Sequence, residues 1–385
     1  MRDHFLLRDD ITFLNFGSFG ACPKAVFKRY QEFQLELEQE PVQFVTVHGP
    51  KYLKDSRNAL ATYLNADSDD LVYVTNPTFA VNIIAKSFPL EEGDEVLSTN
   101  IEYGSCDRTW NYYCKKARAI FKRQPIRFPI ESKEDFIHQF SDGITARTKL
   151  IFISHITSST GLRFPVEEIC WIAKQKGILI LIDGAHAPGQ IPADLKALDV
   201  DMYTGACHKW MMTPKGCSFL YVKKELQHLF DPLVISWGYE ALFPSDSQFL
   251  DYHQMNGTRD FSAFLTVPHA IEFMQENNWD KISEDCRKLV KENAPELCRI
   301  LNTAPISPLT DDFVLQLFSA PIKTSEPENL KQHLYEKYKI EIPVMRQNEN
   351  VYLRYSINAF NTQADLDKLF SSVKKIQSET NLIEA

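Results

Sequence analysis

The chain has 385 residues, 44% of them hydrophobic and 24% charged, with a formal net charge of −9. That length exceeds the ~250–300 residues at which a single core stops growing, so a lone small module is excluded and two domains are expected. The acidic balance, without a basic stripe or a block of like charge, argues against nucleic acid and anionic membrane as partners and points to a small molecule.

The opening stretch "MRDHFLLRDDITFLNFG" has no apolar core followed by a cleavage site, and no run approaches the ~20 apolar residues of a membrane span; the chain reads as a soluble, cytoplasmic protein. The first strand-then-helix signal is "LVYVT" at 71–75, followed by "NPTFAVNIIAKSF". There Asn76 can cap, Pro77 suits the first helical position, and apolar residues recur at helical spacing. "DEVLSTN", "KLIFISHI", "GILILID", "DMYTGA" and "CSFLYV" are further strand candidates, interleaved with helical patterns such as "PVEEICWIAKQKG". Such alternation predicts a mostly parallel sheet with helices on both faces.

After about residue 260 the pattern changes to a long, broken helical stretch, then the short strands "DFVLQLFSA" and "VYLRYSI" and a closing helix in "TQADLDKLFSSVKKIQSE". The expected organisation is a large α/β domain over 21–255 and a smaller C-terminal α+β domain over 256–385, with residues 1–20 packing near the site. The eight cysteines are scattered without a CxxC pair, which in a chain this long implies reduced thiols. Cys207 beside His208 does not predict a metal site, since neighbouring strand residues point to opposite faces and no second cluster offers the remaining ligands.

In an open α/β sheet ligands sit outside the carboxyl ends of the strands. The groups just past each strand here are Asn76 and Thr78, Tyr103, Asp183 with His186, and His208 with Lys209. A helix start carrying Thr78 can bind a phosphate, Tyr103 can stack on a planar ring, Asp183 can hold a ring nitrogen protonated, and Lys209 can form a Schiff base with an aldehyde. Pyridoxal 5′-phosphate needs all four.

The motifs "LNFGSFGACP", "IEYGSC", "TSSTG", "DGAHAPGQIP", "CHKWMMTPKG", "NGTRDFSA" and "LRYSINAFNTQADLDKL", in this order, resemble the fold-type I, class V aminotransferase superfamily and, within it, the isopenicillin N epimerase-like branch. The resemblance runs nearly end to end. It implies that Lys209 carries the cofactor, Asp183 pairs with the pyridine nitrogen, His186 lies near the phenolic oxygen, and Tyr103 stacks on the ring. Thr78 and His208 would meet the phosphate, with Asn76 beside them. It also implies a homodimer in which Thr258 reaches the partner subunit's phosphate, and a substrate carboxylate gripped by Arg354, with Asn15 nearby. Pro77, where relatives commonly have alanine, removes one amide from the phosphate cup, and Ala206 removes a polar side chain. Thr258 and Arg259 can equally be structural. His155, Ser158 and Ser159 are expected to line the pocket without assigned roles.

The cofactor alone allows racemisation, transamination, elimination and desulfuration. Cysteine desulfurases carry a nucleophilic cysteine shortly before the carboxylate-binding arginine, but the last cysteine here is Cys298, so that route is disfavoured. The readings that remain are an epimerase or racemase with Lys209 and a second acid/base group, a C–S lyase in which Lys209 alone takes the α-proton, and a cofactor-binding protein without turnover. Intact Asp183, Lys209 and Arg354 argue against the last.

Overall fold

The computed structural model describes residues 1–384. Twelve strands occur in chain order: β1 (Thr12–Phe13), β2 (Leu71–Val74), β3 (Glu95–Thr99), β4 (Ile120–Gln124), β5 (Thr148–Ser154), β6 (Leu179–Asp183), β7 (Met202–Gly205), β8 (Ser218–Val222), β9 (Leu317–Pro321), β10 (Ile340–Glu341), β11 (Val344–Gln347) and β12 (Asn350–Ser356). Seven of them form one sheet in the order β2-β8-β7-β6-β5-β3-β4. Neighbours from β7 through β4 are parallel, while β8 runs antiparallel to both β2 and β7. The mixed, mostly parallel sheet is therefore the one expected from the sequence.

Strand alternation explains how both faces are covered. Leu150 and Phe152 of β5 join Val96, Leu181 and Met202 in one core, and the helices Pro77–Ser87 and Gly104–Ala117 cover that face. Ile151 and Ile153 join Leu97, Ile180, Ile182 and Tyr203 in the other core, under the helix Val166–Gln175. The edge strand β4, "IFKRQ", escaped the sequence reading. It has no buried residue, so it carries no apolar run to recognise.

The broken helical stretch resolves into the helices Ser262–Leu265, Val267–Glu276 and Trp279–Ile300. The break before the last falls at Asn278, which sits in the left-handed region with φ 49°. The first two pack on the helices Lys24–Gln39 and Gly49–Tyr63, whereas Trp279–Ile300 packs on β9. β9, β11 and β12 form an antiparallel sheet in the order β11-β12-β9, and the N-terminal β1 pairs with β10. Residues 14–20 thus run from the small sheet's side toward the ends of the large one. No helix among the described residues is long and apolar enough to cross a membrane.

Strand order reverses between β3 and β5: β4 lies outside β3, whereas β6 and β7 continue from β5 in the other direction. This switch point opens a crevice at the strands' carboxyl ends.

Candidate active site

A cavity of about 380 Å³ lies at these strand ends. Asn76, Pro77 and Thr78 enter it after β2, Tyr103 after β3, and Ser154, Ile156 and Ser158 at and after the end of β5. Asp183 ends β6 with Ala185 and His186 following it, and His208 and Lys209 follow β7. Ser18 and Phe19 close it from the N-terminal segment. Seven of the expected site residues, Asn76, Thr78, Tyr103, Asp183, His186, His208 and Lys209, therefore line one cavity, whereas Arg354, Asn15 and Thr258 do not.

The Lys209 amine lies 3.1 Å from His186 Nε2, and Trp210 donates its indole N–H to His186 Nδ1 at 3.2 Å. Burial brings the Lys209 amine from its ordinary 10.5 down to about 8; Asp183 opposes that shift and Arg354 adds to it. Burial, followed by the charge of Lys209, holds His186 well below the usual imidazole range. The neighbouring N-terminal segment fits against this turn only through Gly20: at φ +65° it is in the left-handed region, and a Cβ there would lie 2.4 Å from the His208 carbonyl oxygen.

Asp183, at the end of β6, is 3% exposed. Its Oδ1 accepts the Ala185 N–H at 3.0 Å and its Oδ2 accepts the Cys106 thiol at 3.6 Å. It forms no ion pair within 4.0 Å among the described residues, and burial pushes its carboxyl up. The loop needs Gly184 next, since a Cβ there would lie 2.1 Å from the Tyr203 hydroxyl.

At the helix Pro77–Ser87, Asn76 caps as expected, its side chain accepting the Phe79 N–H at 2.9 Å. Pro77 has no N–H, and Ala80 donates to the Asn76 carbonyl at 3.3 Å. The backbone N–H and hydroxyl of Thr78 are thereby left as the donors of the first turn. His208 places Nδ1 2.8 Å from the Cys217 carbonyl, and burial lowers it to about 4. Ala206 is fully buried beneath this turn.

Arg354 is only 1% exposed. Its Nη1 donates to the Ser158 carbonyl and its Nη2 to Ser18 Oγ at 3.1 Å, while Nε has no partner among the described residues. Ser18 in turn donates to Asn15 Oδ1 at 2.5 Å. Asn15 therefore stands behind the cavity, acting on Arg354 through Ser18. Of the three residues expected to line the pocket, only Ser158 does: His155 turns to the Tyr203 hydroxyl at 3.1 Å, and Ser159 donates to Gln347 at 2.9 Å. Thr258 is exposed in a turn outside the cavity, and the Arg259 guanidinium lies 5.0 Å from the Phe264 ring centre.

Sequence reasoning missed Ser18, Phe19, Ser154, Glu102, Cys106 and Trp210. Ser154 ends β5 opposite Asp183 in register, so the strand-end rule would have found it. Glu102 is buried behind it, accepting the Ser154 N–H at 3.0 Å and the Thr99 hydroxyl at 2.7 Å, and burial pushes it up to about 7. Nothing in the spacing of Glu102, Cys106 or Trp210 signals such contacts.

The profile of the family "Aminotransferase class-V" matches residues 20–369. The isopenicillin N epimerase of Amycolatopsis lactamdurans is 30% identical over 390 residues, covering 97% of each chain. The hercynylcysteine sulfoxide lyase of Schizosaccharomyces pombe is 26% identical over 381 residues, covering 97% of this chain and 96% of its own. Among solved structures, the cysteine desulfurase of Thermococcus onnurineus superposes with a TM-score of 0.84 at 18% identity, covering 97% of this chain and 96% of that one, and so shares the fold. The chain belongs to the class-V aminotransferase family, whose members are pyridoxal 5′-phosphate-dependent enzymes of fold type I.

Proposed function

We propose that the protein removes the α-proton of a small α-amino acid, with pyridoxal 5′-phosphate on Lys209 and the Lys209 amine as the base. The observation that carries this reading is one cavity holding both a half-buried lysine amine and Asp183, a buried carboxylate without a cation in ion-pair range. The donor set fits the cofactor. Lys209 offers the amine for its aldehyde and Asp183 the counter-charge for a protonated ring nitrogen. Tyr103 offers a ring at the mouth, and His186 a partner for the phenolic oxygen. Thr78 at a helix start suits the phosphate, and His208 can join it by taking up a proton when the dianion arrives.

When bound, the cofactor supplies an aldehyde for the substrate's amino group and a protonated ring that draws electron density from the α-carbon. Arg354 would hold the substrate carboxylate through its paired donors, fixing which α-substituent faces Lys209. The Lys209 amine, largely free only above about pH 8, accepts the α-proton. A cavity of about 380 Å³ is near the lower end of the roughly 300–1,000 Å³ typical of ligand sites, which favours a small amino acid beside the cofactor.

Two finer readings differ in how many proton-transfer groups they need. Epimerisation, the activity in the name of the Amycolatopsis relative, requires a second acid on the opposite face. Among the lining groups, Tyr103, 47% exposed, and the Nε2 of His208 have no hydrogen-bond partner among the described residues. Lyase chemistry, as in the name of the Schizosaccharomyces relative, needs Lys209 alone. The desulfurase route lacks a cysteine beyond Cys298, which is itself buried in the helix Trp279–Ile300.

A homodimer accords with the exposed apolar segment that precedes Thr258: Trp237 is 80%, Leu242 81% and Phe243 94% exposed, a surface a second copy would cover. The deciding experiment offers single amino acids to the cofactor-loaded protein in deuterium oxide. Exchange with inverted configuration identifies an epimerase, and exchange with release of ammonia and an oxo acid identifies a lyase. A loaded protein that exchanges no α-proton from any amino acid overturns the proposal.

A further inference from the structure

The side chain of Trp210 is buried beside the catalytic turn, 1% exposed, with its ring 5.0 Å from that of Phe16. Packing accounts for the ring but not for where its N–H points. Indole nitrogen is a donor only, so His186 Nδ1, 3.2 Å away, must be an acceptor. That excludes the imidazolium and the tautomer protonated on Nδ1, leaving the neutral ring with its proton on Nε2. Nε2 is also the atom 3.1 Å from Lys209 Nζ. A donor there has no use for an ammonium, which has donors alone; it is satisfied by an amine offering its lone pair.

We propose that Trp210 is a positioning residue that fixes the tautomer of His186 and thereby disfavours the ammonium form of Lys209. The inference rests on Lys209 being the cofactor lysine. Other groups act on the same amine: Asp183 attracts its charged form, Arg354 repels it, and the Cys106 thiol lies close by. His208 and Arg354 face His186 and add to the repulsion of a proton there. Trp210 is what selects between the two neutral forms of the ring. Without its N–H, the imidazole proton could sit on Nδ1, and Nε2 would then accept from a Lys209 ammonium. The charged amine would gain a partner, and its pKa would rise.

Two measurements on the cofactor-free protein test this. Nitrogen-15 NMR of the histidine rings, with His186→Gln identifying the His186 signals, should show the Nε2–H tautomer alone from neutral pH down through the ordinary imidazole range. A mixed ring, an Nδ1–H ring, or one that titrates near 6.5 overturns the proposal. Capture of added pyridoxal 5′-phosphate should rise with pH around a midpoint near 8. In Trp210→Phe that acid limb should move upward by about one unit, as loss of a neighbouring hydrogen-bond constraint would produce. Phe16→Leu disturbs the same packing but keeps the N–H, and should leave the limb in place. An unmoved limb in a folded Trp210→Phe protein overturns the proposal, as does an equal movement in Phe16→Leu. If Trp210→Phe does not fold, the wild-type tautomer still decides. Failure of borohydride to fix the cofactor on Lys209 would instead defeat the functional reading and leave the tautomer result standing.

Discussion

On the large-sheet side of the cavity, Lys209, His186 and Trp210 complete one another's hydrogen bonds at 3.1 and 3.2 Å. Behind the wall formed by Ser18 and Ser158, Arg354, 1% exposed, meets only their neutral oxygens and leaves Nε without a partner among the described residues. The first wall is preorganised without ligand. The second keeps a desolvated cation with no counter-charge, an arrangement that costs stability until an anion arrives. The difference teaches where the energy of substrate binding enters: the chemical groups are set in advance, and the carboxylate clamp is completed by the substrate.

Changes on the first wall should strike turnover, with Lys209→Ala giving the largest effect. It is expected to remove activity by about four orders of magnitude, the upper range of general acid–base catalysis, and to abolish borohydride labelling of the peptide that contains position 209. Labelling of another lysine in the wild-type protein would break the comparison at its root. Asp183→Asn should keep the cofactor but lose about three orders of magnitude in rate, corresponding to about 4 kcal/mol of barrier. Near-normal turnover in that variant would reduce Asp183 to the acceptor of the Ala185 N–H.

The second wall predicts a different signature. Arg354→Lys retains charge but not the fork, so KM for an α-amino acid should rise about 10- to 100-fold with cofactor retention unchanged. Arg354→Met should raise KM further while leaving Tm equal or higher, because it removes an unpaired buried charge. A marked fall in Tm in both variants would show that Arg354 is already satisfied in the ligand-free protein.

A smaller effect concerns the acid behind the first wall. Glu102 is raised from 4.5 to about 7 by burial. Its folded form therefore binds a proton more tightly than its unfolded form, and the stability it contributes is fully present below about 4.5 and lost as pH rises through about 7. Glu102→Gln should flatten the dependence of Tm on pH across that window, which thermal melts at fixed ionic strength would reveal. Least of all should follow from changing Cys207, Cys217, Cys286 and Cys298 to serine one at a time. Each is buried and none lines the cavity, so turnover should persist in every variant that folds. Loss of sulfur release from cysteine in one folded, cofactor-loaded variant would revive the desulfurase reading.

Much of the cavity's membership was legible in the sequence because it follows from strand ends. An apolar run followed by a polar residue marks both the end of a strand and the mouth of the crevice. On that basis Asp183, Lys209, Tyr103 and Thr78 could be named from order alone. The same rule reaches Ser154, yet "KLIFISHITSSTG" offers several polar residues in succession, and only the register opposite Asp183 separates Ser154 from His155. Asn15 illustrates the limit differently: its motif was recognised, but its side chain is taken up by Ser18.

By itself, then, the sequence determined the alternating α/β architecture, the strands that end in chemical groups and the family to which the chain belongs, because periodicity and local motifs are properties of neighbouring residues. Only the tertiary structure decided that Trp210 addresses His186, that Cys106 donates to Asp183, and that Arg354 is buried without a counter-charge. Those contacts join residues 24, 77 and more than 150 positions apart. Their geometry depends on which strands become neighbours and on how the N-terminal segment packs across them, and no local pattern encodes it.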